Sequence, residues 1–482
     1  MHTWAASTSG GLLLGVCFLF PSLGYFAYLA FVPLFLYMRV LACGQIYQHA
    51  FWMGVVAFSL ANHWIYFFLY NLTDSHGLST SVSTAYFVYG ANSIALLFVL
   101  LHQLRQRIPQ YGFILSAPLL AALWLHGFPL LFELNLAQTQ VNFPLITAPI
   151  KLTCQWSLTA LILLINLLLA EWIIVISRKT NNDQKLYSPF RLTSELRIAL
   201  AISLPILLWL CVGRAALPET ERNQHTSLTL GILQTDDAPG YSVPYARAGH
   251  TLAYPPELQQ AYTLAQQGAQ VIVWPESRPK GILTNDWVRQ SYAIHAQHMK
   301  ANLIVQDIAR SEESKEAYIN ASLMFSRDGD QVTYRKMKPI PFGESIPKAF
   351  RFEPVQTWLE RLFKNIYKPV EAGTQTELFA VEDHTILPLI CYEIFASQHI
   401  IQTINEHPEI DLMVLQSNDR WFFSHRQVLM HNAVAQLRAV ETARPILHVV
   451  NGGPSFFIDA RGNVTAVTEY RRAAAHLIEV SL

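Results

Sequence analysis

Thr385-Ile386-Leu387-Pro388-Leu389-Ile390-Cys391-Tyr392-Glu393 is the stretch that decides the reading of this chain. Six residues of buried-strand character run straight into a thiol, and a carboxylate follows two positions later. A thiol delivered by a strand end, with a carboxylate beside it, is the pattern of a nucleophile. A small buried core residue is the plainer alternative for a lone cysteine. No other cysteine follows Cys211, so the C-terminal half has no cysteine pair for an internal disulfide.

Two further segments place reactive groups at the ends of β-type runs. Val271-Ile272-Val273-Trp274-Pro275-Glu276-Ser277 carries Glu276 to a strand terminus, where Pro275 ends the hydrogen-bond ladder. Tyr334-Arg335-Lys336-Met337-Lys338-Pro339-Ile340-Pro341-Phe342-Gly343-Glu344 packs two lysines and a glutamate around prolines that stiffen a loop. Taken singly, Glu276 also reads as an exposed strand-end charge, and Lys336 and Lys338 as a solvated basic loop. Taken together they supply a nucleophile, a base and a cation. A thiol is mostly protonated near neutral pH and needs a base. A carboxylate in an apolar pocket has a raised pKa and can take that proton. An ammonium stabilises the oxyanion formed when a thiolate attacks a carbonyl.

The surrounding pattern from Ser227 onward alternates short β-rich runs with amphipathic segments. Strands are predicted at 228–234, 270–275, 302–308, 317–325, 385–391, 412–416, 446–450, 456–458 and 476–480. Helices are predicted at 256–267, 286–301 and 425–442. Such alternation indicates a layered α/β domain.

The first 215 residues are different. Only 14% of the 482 residues are charged, the formal net charge is zero, and the shortage of charge falls in this half. About seven apolar stretches are candidate membrane spans: 10–21, 24–38, 50–70, 83–102, 112–132, 157–177 and 198–213. Two domains are therefore expected: a helical membrane domain over 1–215 and an extracytoplasmic catalytic domain over 226–482. With the N-terminus in the cytoplasm, the inside loops hold Arg39, Arg105, Arg107, Arg178, Lys179, Lys185, Arg191 and Arg197, while the outside loops hold Lys151 alone. That asymmetry follows the positive-inside rule and puts everything after Arg214 outside the cytoplasm. Polar residues interrupt the spans at Asn62-His63-Trp64 and Asn92, and Glu133, Asn135, Gln138 and Gln140 flank a span end. Such groups either line a cavity or bond helix to helix. The composition has no basic excess and gives no support to nucleic-acid binding. His295 and His298 have metal-pair spacing without a third ligand, so no metal site is expected.

Trp-Pro-Glu-Ser, Tyr-x-Lys with Pro-Phe-Gly-Glu, and Cys-Tyr-Glu, in this order, resemble the nitrilase (carbon–nitrogen hydrolase) superfamily. Behind a multi-span membrane domain, the combination resembles the apolipoprotein N-acyltransferase family of Gram-negative bacteria. His63-Trp64-Ile65-Tyr66, the stretch 137–166, Asn418-Asp419-x-Trp421-Phe422, His431, Arg438-Ala439, Glu441, Arg444-Pro445, Asn451-Gly452-Gly453 and Ser455 extend the likeness over nearly the whole chain. The resemblance implies an αββα sandwich following the membrane helices. It implies that Glu276 is the general base, that Lys336 stabilises the oxyanion, and that Cys391 is the nucleophile. The backbone N–H of Tyr392 would be a second oxyanion donor, Glu344 would orient Lys336 or the base, and Glu393 would hold the cysteine loop. The implied reaction is ping-pong. An acyl chain passes from a phospholipid, typically phosphatidylethanolamine, to Cys391 as a thioester, and then to the α-amine of a diacylglyceryl-cysteine at a lipoprotein N-terminus. The implied location is the bacterial inner membrane, with the catalytic domain on the periplasmic face. No metal or organic cofactor is implied.

The sequence departs from the family pattern in places. No tryptophan follows Gln234 until Trp274, Phe423 stands where the family has glycine, Gln427-Val428 replace Gly-Pro, and Met430 replaces glutamine. The family pattern also includes a last C-terminal span, which residues up to Leu482 do not contain. A membrane-anchored nitrilase-type amidase, or an acyltransferase with another acceptor, is the alternative these departures favour. The segment 346–367, with an amphipathic helical pattern over 355–367, is expected to form an interfacial lid rich in Trp358 and Phe363-type residues.

Overall fold

The computed structural model describes residues 2–132, 135–180, 194–217, 227–240, 249–314, 316–347, 351–362 and 367–482. Glu133, Lys185, Arg191 and Phe363 lie outside these residues, as do the side chains of Arg178, Lys179 and Trp358. The chain divides into two compact units: Met1–Tyr70 with Ser75–Pro218, and Asn71–Asp74 with Glu219–Leu482.

The first unit is helical. Its helices are α1 (His2–Leu19), α2 (Ala27–Ala30), α3 (Val32–Tyr37), α4 (Cys43–Ala61), α5 (Trp64–Thr73), α6 (His76–Arg107), α7 (Gln110–Gly127), α8 (Pro144–Thr147), α9 (Gln155–Thr180) and α10 (Ser194–Ala216). All seven apolar stretches of the sequence fall on helical segments, but their lengths differ from expectation. Among the described residues three helices are long and apolar enough to cross a membrane alone: α6, α9 over Gln155–Ser177 and α10 over Ala199–Ala216. A fourth forms if α4 and α5 are one span, bent by 61°. The expected span at 24–38 is instead a 3-10 turn followed by two short helices, because Pro21 and Pro33 cannot donate into a continuous ladder. The 50–70 span bends at Asn62-His63, between α4 and α5.

Broken helices in an apolar region leave backbone groups that need partners. Asn166, fully buried on α9, supplies them. Its Oδ1 accepts from Phe31 N at 2.9 Å, and its Nδ2 donates to Ala27 O at 2.9 Å. Close approach of α4 to α6 depends on a glycine: a Cβ at Gly54 would lie 2.7 Å from the Ala91 Cα. The sequence reading overlooked Glu171, an acid within α9, which forms an ion pair with Arg39 and accepts from Gln110 Nε2 at 2.9 Å.

The second unit carries two six-stranded sheets. One has the order β12-β1-β2-β3-β4-β5, built from β1 (Ser227–Gln234), β2 (Val271–Val273), β3 (Asn302–Arg310), β4 (Tyr318–Phe325), β5 (Gln331–Arg335) and β12 (Ala474–Ser481). The other has the order β11-β10-β9-β8-β7-β6, built from β6 (Phe379–Val381), β7 (His384–Ile390), β8 (Ile410–Asn418), β9 (Ile446–Asn451), β10 (Phe456–Ile458) and β11 (Val464–Ala466). Strands β1, β2 and β3 run parallel, as do β7, β8 and β9, so their C-terminal ends point the same way within each sheet. The sequence missed β5, β6 and β11, which are three to five residues long and too short to show a period of two.

Three apolar layers result, as an αββα sandwich requires. Leu230, Ile232, Val271, Ile304, Ile390, Val414 and Leu447 pack between the sheets. Helices α11 (Pro256–Gln266) and α12 (Asp286–Met299) cover one outer face, where Leu258, Ile272, Trp274, Tyr292 and Leu303 meet. Helices α14 (Ser397–Glu406) and α15 (His425–Thr442) cover the other, over Leu389, Ile400, Met413, Leu415 and Val434. Strands buried on both faces need apolar residues at every position, which is why 385–390 reads as a continuous apolar run. A short helix α13 (Val355–Leu362) falls within the segment expected as a lid.

Candidate active site

The parallel strands put their following residues at one end of the sandwich. β2 is followed by Glu276 and β7 by Cys391, while β5 leads into Lys336. Gln416, at the end of β8, stitches the two sheets at this level. Its Nε2 donates to Trp274 O at 2.6 Å, and its Oε1 accepts from Ser322 Oγ at 2.5 Å.

Cys391 begins a 3-10 turn, Cys391–Phe395, with φ at +51°. A non-glycine residue in this region is held there by its surroundings at a cost of about 1–2 kcal/mol. The holding group is Glu393, which is fully buried. Its Oε2 accepts from Ile390 N at 2.8 Å, and its Oε1 accepts from Tyr334 Oη at 2.8 Å, Met337 N at 2.7 Å and Lys338 N at 3.1 Å. One carboxylate thereby joins the cysteine turn to the lysine loop.

Lys336 is 1% exposed and Glu344 is 7% exposed. The Lys336 Nζ lies 2.9 and 2.7 Å from the two Glu344 carboxylate oxygens, and Oε2 also accepts from Ile340 N at 2.8 Å. Burial opposes the ammonium, but the carboxylates of Glu344 and then Glu276 outweigh it, so Lys336 is held protonated well above its ordinary range. The cost of burying this cation is met by a close pair with further hydrogen bonds.

Glu276 and Cys391 are each part-exposed, unlike the buried Lys336, Glu344 and Glu393. The Glu276 carboxylate accepts from Asn320 Nδ2 at 2.8 Å and lies within hydrogen-bonding reach of the Cys391 thiol. Burial raises the Glu276 pKa most, with Lys336 opposing and Glu344 reinforcing. Burial also pushes the thiol well above its ordinary value, Glu276 adds to that, and Lys336 opposes it. The resting thiol therefore keeps its proton next to a carboxylate of raised basicity, and the nearest cation is held in place by another acid.

The structure brings Glu276, Lys336, Glu344, Cys391, Tyr392 and Glu393 into one cluster. Asn320 and Gln306 were not singled out by the sequence reading. Gln306 Nε2 donates to Asn320 Oδ1 at 2.9 Å and its Oε1 accepts from Ser277 N at 3.2 Å, which fixes the amide that faces Glu276. Their signal in the sequence is the polar positions Gln306 in β3 and Asn320 in β4, within otherwise apolar runs. Behind the cysteine, His431 on α15 bonds Asp419 through Nδ1 at 3.0 Å and the Cys391 carbonyl through Nε2 at 3.3 Å. Burial disfavours the imidazolium, but Asp419 more than reverses this and raises the His431 pKa.

Asp419, His431 and His448 bring potential metal-ligand atoms within 4.8 Å of one another, an arrangement that sequence spacing did not reveal. His431 uses both ring nitrogens in the bonds just described, and His448 Nε2 lies 2.8 Å from Ser417 Oγ. Asp419 and both His431 nitrogens are thus engaged in hydrogen bonds, and His448 Nδ1 alone is without a partner among the described residues, so the three do not offer a free ligand set. His295, considered above as half of a metal pair, bonds Tyr262 Oη through Nδ1 at 2.9 Å.

Comparisons with known proteins agree with this architecture. Residues 243–473 match the carbon-nitrogen hydrolase family, and residues 10–168 match the apolipoprotein N-acyltransferase N-terminal domain. An apolipoprotein N-acyltransferase of Shewanella oneidensis is 26% identical over 214 residues, covering 41% of this chain and 39% of that protein. One of Nitrosomonas europaea is 31% identical over 173 residues, covering 36% of this chain and 33% of that protein. The matches thus span about two-fifths or less of these relatives' length. The Saccharomyces cerevisiae nitrilase-superfamily protein Nit3 aligns over 53% of this chain and 90% of its own, at 14% identity and a TM-score of 0.39. Residues 243–473 thus carry a carbon–nitrogen hydrolase domain. Residues 10–168, ahead of it, carry the N-terminal domain of apolipoprotein N-acyltransferases, and curated proteins of that name are similar to parts of this chain.

Proposed function

We propose that this protein is an apolipoprotein N-acyltransferase of the bacterial inner membrane, with Glu276, Lys336 and Cys391 as its reacting groups. The match of residues 10–168 to the family's own N-terminal domain carries this reading, because a hydrolytic nitrilase needs no such domain. The extracytoplasmic domain over 226–482 faces the periplasm, following the charge bias of the loops.

In the first half-reaction Glu276 removes the Cys391 thiol proton as sulfur attacks the carbonyl carbon of a phospholipid acyl ester. The phospholipid is of the phosphatidylethanolamine type. The Lys336 ammonium and the Tyr392 N–H hold the oxyanion. Collapse breaks the ester C–O bond, and the lysophospholipid alkoxide takes the proton from Glu276. In the second half-reaction the α-amine of a diacylglyceryl-cysteine attacks the thioester and loses a proton to Glu276. The Cys391 thiolate leaves and is reprotonated, and an amide results. Glu344 keeps Lys336 oriented, and Glu393 holds the cysteine turn.

The test supplies the full chain in detergent with phosphatidylethanolamine and a diacylated lipopeptide, read by mass spectrometry. The expected result is one lysophospholipid for each N-acylated lipopeptide, with an acyl adduct on Cys391 when the lipopeptide is omitted. Release of free fatty acid with no amide would instead establish a membrane-anchored hydrolase. Full activity in Cys391→Ser would exclude the assigned nucleophile.

A further inference from the structure

An open pocket of about 640 Å³ lies in the helical unit, at the start of α4 and the end of α6. Arg39, Val40, Cys43, His102, Arg105 and Gln106 are among the residues that line it. Three nitrogens on this lining have no hydrogen-bond partner among the described residues: Arg39 Nε, Arg105 Nη1 and His102 Nδ1. His102 is 7% exposed, so its unmatched nitrogen is a buried polar group on a residue of the pocket lining. Buried groups of this kind carry a free-energy cost when left unpaired.

All three are donors. Both arginine nitrogens carry hydrogen at any working pH. The Gln106 Nε2 lies 3.0 Å from His102 Nε2 and donates to it, which leaves the ring proton on Nδ1. Glu171, the acid paired with Arg39, also accepts from Gln110, and none of the described residues lining the pocket is acidic. The pocket therefore holds two guanidinium groups against one carboxylate. Helix α4 begins at Cys43 on the pocket wall with no acidic residue in its first turn, which adds positive potential from its N-terminus. Beside these cations, Val40 is 76% exposed and offers an apolar surface. Arg105 and Arg107 close a helix of membrane-spanning length, so the pocket sits where a span ends.

We propose that this pocket binds the phosphate of a phospholipid headgroup, as a site separate from the catalytic cluster. The non-bridging phosphate oxygens would accept from Arg39, Arg105 and His102, and Val40 would meet the start of the acyl chains. Basic pockets between spans recognise lipid headgroups in this manner. The site would hold a structural or regulatory lipid rather than a reacting one, since Glu276, Lys336 and Cys391 are not among its lining residues.

Cys43 is a native reporter on the pocket wall. The full-length protein in detergent is labelled with a maleimide, and labelling of the Cys43 peptide is followed by mass spectrometry. Dioctanoyl phosphatidylglycerol is expected to slow Cys43 labelling, whereas phosphate-free dioctanoylglycerol is not. Arg105→Gln is expected to raise the half-protecting lipid concentration about fivefold, the effect of one surface cation. Equal protection by dioctanoylglycerol, or unchanged protection in Arg105→Gln, would overturn the proposal. Protection by inorganic phosphate at the same concentration would assign the pocket to a free anion instead of a lipid. Native mass spectrometry of the same two proteins gives a second measurement: Arg105→Gln should retain less co-purified phospholipid, and equal retention counts against the site.

Discussion

Replacing Glu393 by Gln tests how the nucleophile is held. The substitution keeps shape and volume but removes one acceptor oxygen. Glu393 now accepts three hydrogen bonds at Oε1, from Tyr334 Oη, Met337 N and Lys338 N, and one at Oε2, from Ile390 N. The amide oxygen of Gln would take the crowded side, and its NH2 would then face Ile390 N–H, donor against donor. An unsatisfied buried N–H costs about 1–3 kcal/mol. The other three bonds lose their charge assistance, about 1 kcal/mol each at most, so the total is about 1–6 kcal/mol. The strain falls on Ile390, the residue before Cys391, whose φ of +51° depends on this loop. Displacing a nucleophile by about 1 Å costs about 100-fold in rate. The assay is single-turnover acylation of Cys391, read as intact mass, alongside thermal unfolding of the second unit. The expected result is acylation slowed about 100-fold with little change in the lipid concentration giving half-maximal rate. Acylation within twofold of the parent would refute the idea that this carboxylate sets the turn. Tyr334→Phe removes one donor and should cost far less, about 1 kcal/mol.

The raised Glu276 pKa sets a pH dependence. A carboxylate acts as a base only when ionised, so acylation should rise with pH through a value above the ordinary carboxylate range and fall in acid. Glu276→Gln should slow acylation about 100- to 10,000-fold and abolish that limb of the profile; an unchanged profile would exclude Glu276 as the base. Lys336→Met leaves Glu344 charged, buried and unpaired, at a cost of about 3–5 kcal/mol in unfolding. The double variant Lys336→Met/Glu344→Gln should regain stability but not activity, and recovery of both would deny Lys336 a role in the reaction. Asp419 raises the His431 pKa in the folded state, so this pair stabilises the fold most below the ordinary imidazole value of about 6.5. That stabilisation fades as pH rises through the raised value. His431→Asn should therefore lower the unfolding temperature more at pH 6 than at pH 9, and an equal loss at both would show that the pair does not titrate.

The three reactive segments were legible because each ends a strand in a short, dense motif. The apolar run into Cys391 and the Val271–Trp274 run into Glu276 are fixed by local composition, since a strand covered on both faces admits little else. The residues that join these segments were less legible. Asn320 touches Glu276 from 44 positions away, and Gln416 reaches Trp274 across 142. Neither pairing has a spacing rule: the first joins β4 to the end of β2 within one sheet, with β3 between them, and the second joins the two sheets. Glu393 reads in sequence as the third residue of Cys-Tyr-Glu. Its partners Tyr334, Met337 and Lys338 lie more than 50 residues earlier.

The membrane half shows the same division. Long apolar stretches are a property of sequence, because hydrocarbon excludes charge over about 20 residues. How each stretch is cut is a matter of packing. The break before Val32 is tolerated because Asn166 meets the free backbone groups, and Glu171 is tolerated within α9 because Arg39 reaches it. The order of strands and spans, and the chemical types of the reacting groups, belong to the sequence by itself, since they follow from hydrophobic period and residue chemistry. Only the tertiary structure decides which acid faces the thiol, which acid holds the lysine, and which arginines are left with unmatched donors. Those facts depend on distances between segments that the chain order does not encode.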